Sequence, residues 1–250
     1  MRKAKKLLSL ALAAMMFVSA FSSTAFASDM DDAYEVDRVD GKYAVVRVED
    51  DGEYYDSKSS ITIPSKINSR TITRIGDGDS SIFASGGSEK NIYLPNTVDI
   101  ISDGAFEDST VKRVSMEEGP VEIGERAFAS CENLTSVTFA DSITKMGIEA
   151  FSGCTSLRSA VLPASLTKIP DNAFQDCMDL RSVTIGSHVT SIGDSAFSGC
   201  DSLEEITIPP NVTRIGYDAF DDFILIKGYN GTAAQKYAEQ HGYTIIHIYA

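Results

Sequence analysis

The chain has 250 residues, 43% of them hydrophobic and none tryptophan, and sets 22 basic against 36 acidic residues for a formal charge of −14. That balance excludes nucleic-acid binding, which runs on Lys and Arg neutralising phosphates, and disfavours an anionic bilayer for the same reason. Four cysteines and three histidines leave little material for a metal or nucleophile site in a chain long enough for a sizeable core.

Residues 1–27 read as a signal peptide. Arg2, Lys3, Lys5 and Lys6 form a basic start, Leu7 to Val18 an apolar run, and Ala25-Phe26-Ala27 a small-x-small cleavage site. The apolar run is shorter than the roughly 20 residues a membrane span needs, and no later run reaches that length. Removing this segment takes away four bases and no acids, which leaves 18 against 36, a charge of −18. The expected product is a bacterial protein, secreted or held at the cell surface by non-covalent contacts.

Residues 28–68 read as an N-terminal cap. Asp40-Gly41 favours a tight hairpin turn between an arm with Val36 and Val39 and the run Tyr43 to Val48. An acidic turn, Glu49 to Glu53, then leads to the strand-like Ile61-Thr62-Ile63.

A repeat of 23 residues governs residues 69–222. Its marks are an Ala-Phe pair, a Cys three residues later, and an apolar strand. Cys131, Cys154, Cys177 and Cys200 follow Phe128, Phe151, Phe174 and Phe197 at this spacing. Phe83, Phe106 and Phe220 extend the series to seven turns, with Gly86 and Ser109 at the Cys position of the first two. Phe106 to Phe128 is 22 residues, so one residue is missing near Glu117 to Pro120. A fixed period of this size predicts a solenoid whose short units bury their apolar faces only by stacking. Within a unit, Leu180, Val183 and Ile185 alternate inward as a strand, and Val189 and Ile192 form a second short inward arm before the corner at Gly193. That corner also holds Pro170, whose φ is fixed near −65°, so the corner glycines are expected to serve close backbone approach rather than positive φ. Phe106, Phe128, Phe151, Phe174, Phe197 and Phe220 should form one buried stack.

Residues 223–250 read as a C-terminal cap. Ile224 to Ile226 is a strand, Thr232-Ala233-Ala234-Gln235 fits a capping box, a helix runs to about His241 and stops at Gly242, and Tyr243 to Tyr249 is a last strand.

The unit Leu203-x-x-Ile206-x-Ile208-Pro209-x-x-Val212-x-x-Ile215-Gly216-x-x-Ala219-Phe220 resembles the bacterial surface-antigen (BspA-type) leucine-rich repeat. The ending Gly228 to Gln235 with Gly242-Tyr243 is similar to that family's terminal cap. The resemblance covers roughly residues 60 to 250. It implies a curved right-handed solenoid with a parallel sheet, export, and binding of host or matrix proteins by some members. It implies no enzymatic activity and transfers no binding residues, because the shared positions are those of the core.

The candidate chemistry is sparse. Equivalent cysteines in adjacent turns lie within reach of a disulfide, and an exported chain invites one. The reading adopted is a ladder of four reduced, buried thiols, with disulfides as the alternative. No metal is expected, since ligand pairs two to four residues apart are missing, and no cofactor. His188, His241 and His247 stand in no nucleophile motif, and Asp77-Gly78-Asp79 lacks the rest of a calcium loop. Arg74, Lys145, Lys168 and Arg214 share the position before the corner, with acids just beyond it, an arrangement expected to interleave as ion pairs.

The expected function is therefore non-catalytic: a monomeric module that binds an extracellular protein or glycan. A structural spacer without a discrete ligand is the alternative. The expected ligand-binding residues are Lys112, Arg113, Arg158 and Arg181, which fill the two positions between the first and second core residues of successive strands. On so acidic a chain they form a local basic group, closed by Glu204-Glu205.

Overall fold

The computed structural model describes residues 34–48, 59–79, 81–82, 89–116 and 118–248. The signal segment, the acidic turn at 49–53, Phe83, Gly86, Glu117, Tyr249 and Ala250 lie outside the described residues. The fold is a solenoid of about 23 residues per turn, and each turn contributes to three stacked faces.

The first face carries the longer parallel strands. β3 (Ser60–Thr62), β6 (Lys90–Leu94), β8 (Val111–Met116) and β10 (Ser136–Thr138) form one ladder. β12 (Ser159–Val161) pairs with β14 (Ser182–Thr184), and β16 (Glu205–Thr207) with β18 (Leu225–Gly228) and then β19 (Thr244–His247). Core residues meet their counterparts one turn on: Val114 faces Val137, Ala160 faces Val183, and Ile206 faces Ile226. The first two pieces of this sheet are joined by Arg158 N–H donating to Thr135 O at 3.4 Å.

The second inward arm is itself a sheet. β5 (Arg70–Ile75), flanked by the short antiparallel β4 (Lys66–Ile67), runs parallel with β7 (Ile100–Ile101), β9 (Glu122–Ile123) and β11 (Lys145–Met146), and β13 (Lys168–Ile169), β15 (Ser191–Ile192) and β17 (Arg214–Ile215) continue the series. Its corner glycines Gly124, Gly147, Gly193 and Gly216 act by proximity, as expected, whereas Gly76 at the first such corner adopts a left-handed φ of 81°. An added Cβ would lie 2.3 Å from Asp171 Oδ1 at Gly193 and 2.3 Å from Asp194 Oδ1 at Gly216, and neither glycine has positive φ. Those carboxylates reach over the glycine to accept the next turn's N–H, from Asp194 and Tyr217 respectively.

The third face, around each Phe, is made of turns rather than helix. Phe106 N–H donates to Ala127 O, and Phe128, Phe151, Phe174 and Phe197 repeat the bond to Ala150, Ala173, Ala196 and Ala219. Two columns of left-handed residues make this possible. Gly104, Arg126, Glu149, Asn172, Ser195 and Asp218 stand two residues before each Phe at φ of 47–59°, and Asp108, Ser130, Gly153, Asp176 and Gly199 stand two after at φ of 55–74°. In an L-residue this conformation costs roughly 1–2 kcal/mol. It persists here because it turns the N–H along the column: Arg126 donates to Ile148 O, Glu149 to Asp171 O, and Ser130 to Ser152 O.

Inside the turns the six rings stack face to face, with centroids 4.8–5.6 Å apart and planes within 6°. The four cysteines are free and buried beside them. Each Sγ donates to the Phe carbonyl of the preceding turn, Cys131 to Phe106, Cys154 to Phe128, Cys177 to Phe151 and Cys200 to Phe174, at 3.0–3.3 Å.

At one end β1 (Tyr34–Val39) and β2 (Lys42–Val48) form an antiparallel hairpin about Asp40 and Gly41, both at positive φ, and β2 pairs with β5. At the other, α1 (Ala233–His241) ends at left-handed Gly242. There Tyr237 stands edge-on to Phe220 and accepts Ala219 N–H on its hydroxyl, closing the end of the stack. The capping box at Thr232 does not form. Thr232 Oγ1 donates to Tyr229 O at 2.6 Å, and Gln235 Oε1 accepts Gly231 N–H, one residue before the box would place it.

Candidate functional site

The first face carries the four basic residues proposed from sequence, but it does not gather them into one group. Register puts Lys112, Thr135, Arg158, Arg181 and Glu204 in one column, and Arg113, Ser136, Ser159, Ser182 and Glu205 in the next. Arg181 N–H donates to Arg158 O at 3.0 Å, so these two arginines are direct neighbours on adjacent turns. Both side chains are exposed, and neither makes an ion pair among the described residues. Lys112 is engaged instead with Glu89, Nζ to Oε2 at 2.5 Å. Arg113, also exposed, is separated from the pair by Ser136. Glu205, one of the two acids expected to close the patch, is bound by Lys227 at 2.8 Å. What remains is a pair of free guanidinia beside the exposed hydroxyls of Ser159 and Ser182, which make no hydrogen bond among the described residues.

The corner column behaves differently. Arg74 pairs with Asp40 at 3.4 Å, Lys145 with Glu122 at 3.5 Å and Arg214 with Asp194 at 3.8 Å, which leaves Lys168 without an ion pair among the described residues. The exposed Lys145 and Arg214 pairs are each worth little, typically about 0–1 kcal/mol, whereas the largely buried Arg74 also donates to Ser102 Oγ at 3.2 Å. A shallow groove of about 520 Å³ runs past Lys145, Lys168, Glu125 and the exposed Ile148.

Sequence reasoning missed Arg126, which grips Glu107 on one side and Glu149 on the other. The hydrogen bond to Glu107 is the main cause of its raised pKa. The signal was available in part, since Arg126 and Glu149 are 23 residues apart and so occupy one column.

The thiols offer no nucleophile. Burial raises Cys154 well above the ordinary range, Cys177 to about 12, and Cys200 as well, so none is a thiolate near neutral pH. His188 Nδ1 lies 2.8 Å from Ala164 O, and His241 Nδ1 lies 2.9 Å from Tyr237 O with its ring stacked on Tyr237. Asp79 N–H donates to Asp77 Oδ1, a local turn. Among the described residues no three His, Cys, Asp or Glu side chains are grouped to hold a metal, and no helix is long and apolar enough to cross a membrane.

A family model described as the BspA type leucine rich repeat region matches the chain in six copies, over residues 53–132, 75–204 and 167–234. Solved structures are similar over most of the chain. A leucine rich cell surface protein of Faecalibacterium prausnitzii aligns at 25% identity with a TM-score of 0.63, covering 78% of this chain. This chain spans only 53% of that protein. The T. pallidum leucine rich repeat protein aligns at 21% identity with a TM-score of 0.63, over 88% of this chain and 98% of its own length. A leucine-rich repeat protein of Bacteroides ovatus aligns at 22% identity with a TM-score of 0.52, over 80% of this chain and 64% of its own. The last two likenesses speak to fold alone. No curated protein matches the chain.

Proposed function

The chain belongs to the BspA type leucine rich repeat family, and from that premise we propose that it is an exported, non-catalytic binding module of a bacterial cell surface. Its partner is an extracellular protein or the glycan such a protein carries, taken on the first sheet face at Arg158 and Arg181. One observation carries the reading: two neighbouring guanidinia stand exposed and unpaired on a chain of charge −14, while other cations, among them Lys112, Lys145, Arg126 and Arg214, are engaged by carboxylates. Such a pair is a ready grip for an anionic group, because the planar fork of Arg meets oxyanions bidentately. The signal segment and the likeness to a cell surface protein support export.

The test is a pull-down of extracellular proteins with residues 28–250, wild type and R158E/R181E. The expected result is a partner retained by the wild type and lost by the double variant, with thermal stability nearly unchanged, since exposed charges contribute little to it. Retention by both would move the site to the groove beside Lys168. The spacer reading rests on the outward column of this face, Tyr93, Ser115, Thr138, Val161, Thr184 and Thr207, whose side chains are mostly short and neutral apart from the exposed Tyr93 and Val161. It expects no protein to be retained specifically.

A further inference from the structure

We infer that the group held by Arg158 and Arg181 is the sulfate ester of an anionic glycan, an identification that rests on the binding face proposed above. Three observations point away from an acidic peptide. The first is spacing. Phe151 stacks on Phe174 at 5.3 Å, which measures the separation of the turns that carry Arg158 and Arg181. An extended peptide laid along the column presents same-side carboxylates only every two residues, about 6.6–6.8 Å apart, and falls out of step at once. The second is the donor supply. Each guanidinium satisfies both oxygens of a carboxylate by itself, so two guanidinia and the free hydroxyls of Ser159 and Ser182 exceed what one carboxylate accepts. A tetrahedral ester anion has three free oxygens and uses more of them. The third is the bed itself. Beside the pair stand Ser136, Ser159 and Ser182, neutral hydroxyls that suit sugar hydroxyls, with Thr184 and the exposed Val161 in the column after them. The aromatic anchors typical of protein hot spots do not occur in these two columns. Glu204 at the far end and the Lys112–Glu89 pair at the near end bound the site to the space between them.

The probe is dextran sulfate, titrated calorimetrically into the wild-type chain in physiological salt, with neutral dextran and polyglutamate as comparisons. A chain of charge −14 repels polyanions in general, so binding reports a local site. The wild type should bind dextran sulfate, ignore neutral dextran, and bind polyglutamate at least about tenfold more weakly. R158K/R181K keeps both charges but loses the forks and should weaken binding by about tenfold, while R158E/R181E should abolish it. A wild type that ignores dextran sulfate, or binds polyglutamate equally well, overturns the glycan and leaves the binding face to the pull-down. Undiminished dextran sulfate binding by R158E/R181E overturns the placement of the glycan at this pair.

Discussion

Phe151→Ala should destabilise the protein by about 3–5 kcal/mol, at the upper end of that range. The ring is fully buried and meets three others: Phe128 at 5.0 Å and Phe174 at 5.3 Å, both stacked, and Phe139 edge-on at 5.5 Å. Its N–H and carbonyl also lie in the ladder, with N–H donating to Ala173 O and the carbonyl accepting the Cys177 thiol. In a solenoid each turn touches only its neighbours, so a cavity in the middle weakens two interfaces at once. Native proteins are stable by only about 5–15 kcal/mol. Urea unfolding followed by far-UV circular dichroism would read the loss. A change below about 1 kcal/mol would mean that neighbouring turns close the gap, and that the stack is not what holds the turns together.

The second large effect is alkaline. Burial lifts the thiols of Cys154, Cys177 and Cys200 above the ordinary value near 9, with Cys177 at about 12. The folded chain therefore keeps protons that the unfolded chain releases. This contribution is complete below the unfolded value and is lost as pH climbs toward the folded ones. Each thiol removes up to about 1.4 kcal/mol per pH unit, so three remove up to about 4 kcal/mol per unit above pH 9. Tyr237, also raised by burial, adds to the loss above pH 10. Serine already fills the cysteine position at Ser109, which is buried and contacts Cys131 Sγ at 3.4 Å. The variant C154S/C177S/C200S should therefore fold and show a distinctly shallower fall in stability between pH 9 and 10 than the wild type. Parallel falls would mean that the thiols are not the titrating groups.

The periodic side chains made most of this fold legible. Phe, Cys and the strand apolars recur because each occupies one cell of a stacked core, so spacing alone identifies them. The left-handed columns were less legible, although Gly104, Gly153, Gly199, Asn172 and Asp176 hint at them, because Arg126 and Glu149 adopt the same φ against their own preference. Backbone hydrogen bonds between turns impose that conformation, and no local residue choice announces it. The charge pairing was half legible. Lys112 with Glu89, Lys145 with Glu122 and Arg126 with Glu149 are each 23 residues apart, so applying the period to charges would have found them. Read that way, the period removes Lys112 from the proposed patch and leaves Arg158 without an acid one turn away, whereas it offers Glu204 to Arg181, a pair that does not form among the described residues. The contact of Arg126 with Glu107, 19 residues away, follows from the side-chain path across a turn and has no periodic signature. Thr232 failed as a cap because its hydroxyl found the nearer Tyr229 carbonyl.

The placement of the binding face is tested most directly by photo-crosslinking the partner retained in the pull-down. One copy of the chain carries p-benzoylphenylalanine at Val161, which is 65% exposed on β12 three residues from Arg158. The other carries it at Thr167, on the lining of the groove beside Lys168. The partner should crosslink to the chain labelled at 161 and not to the chain labelled at 167. Crosslinking from 167 alone would place the partner on the second sheet and contradict the assignment of Arg158 and Arg181.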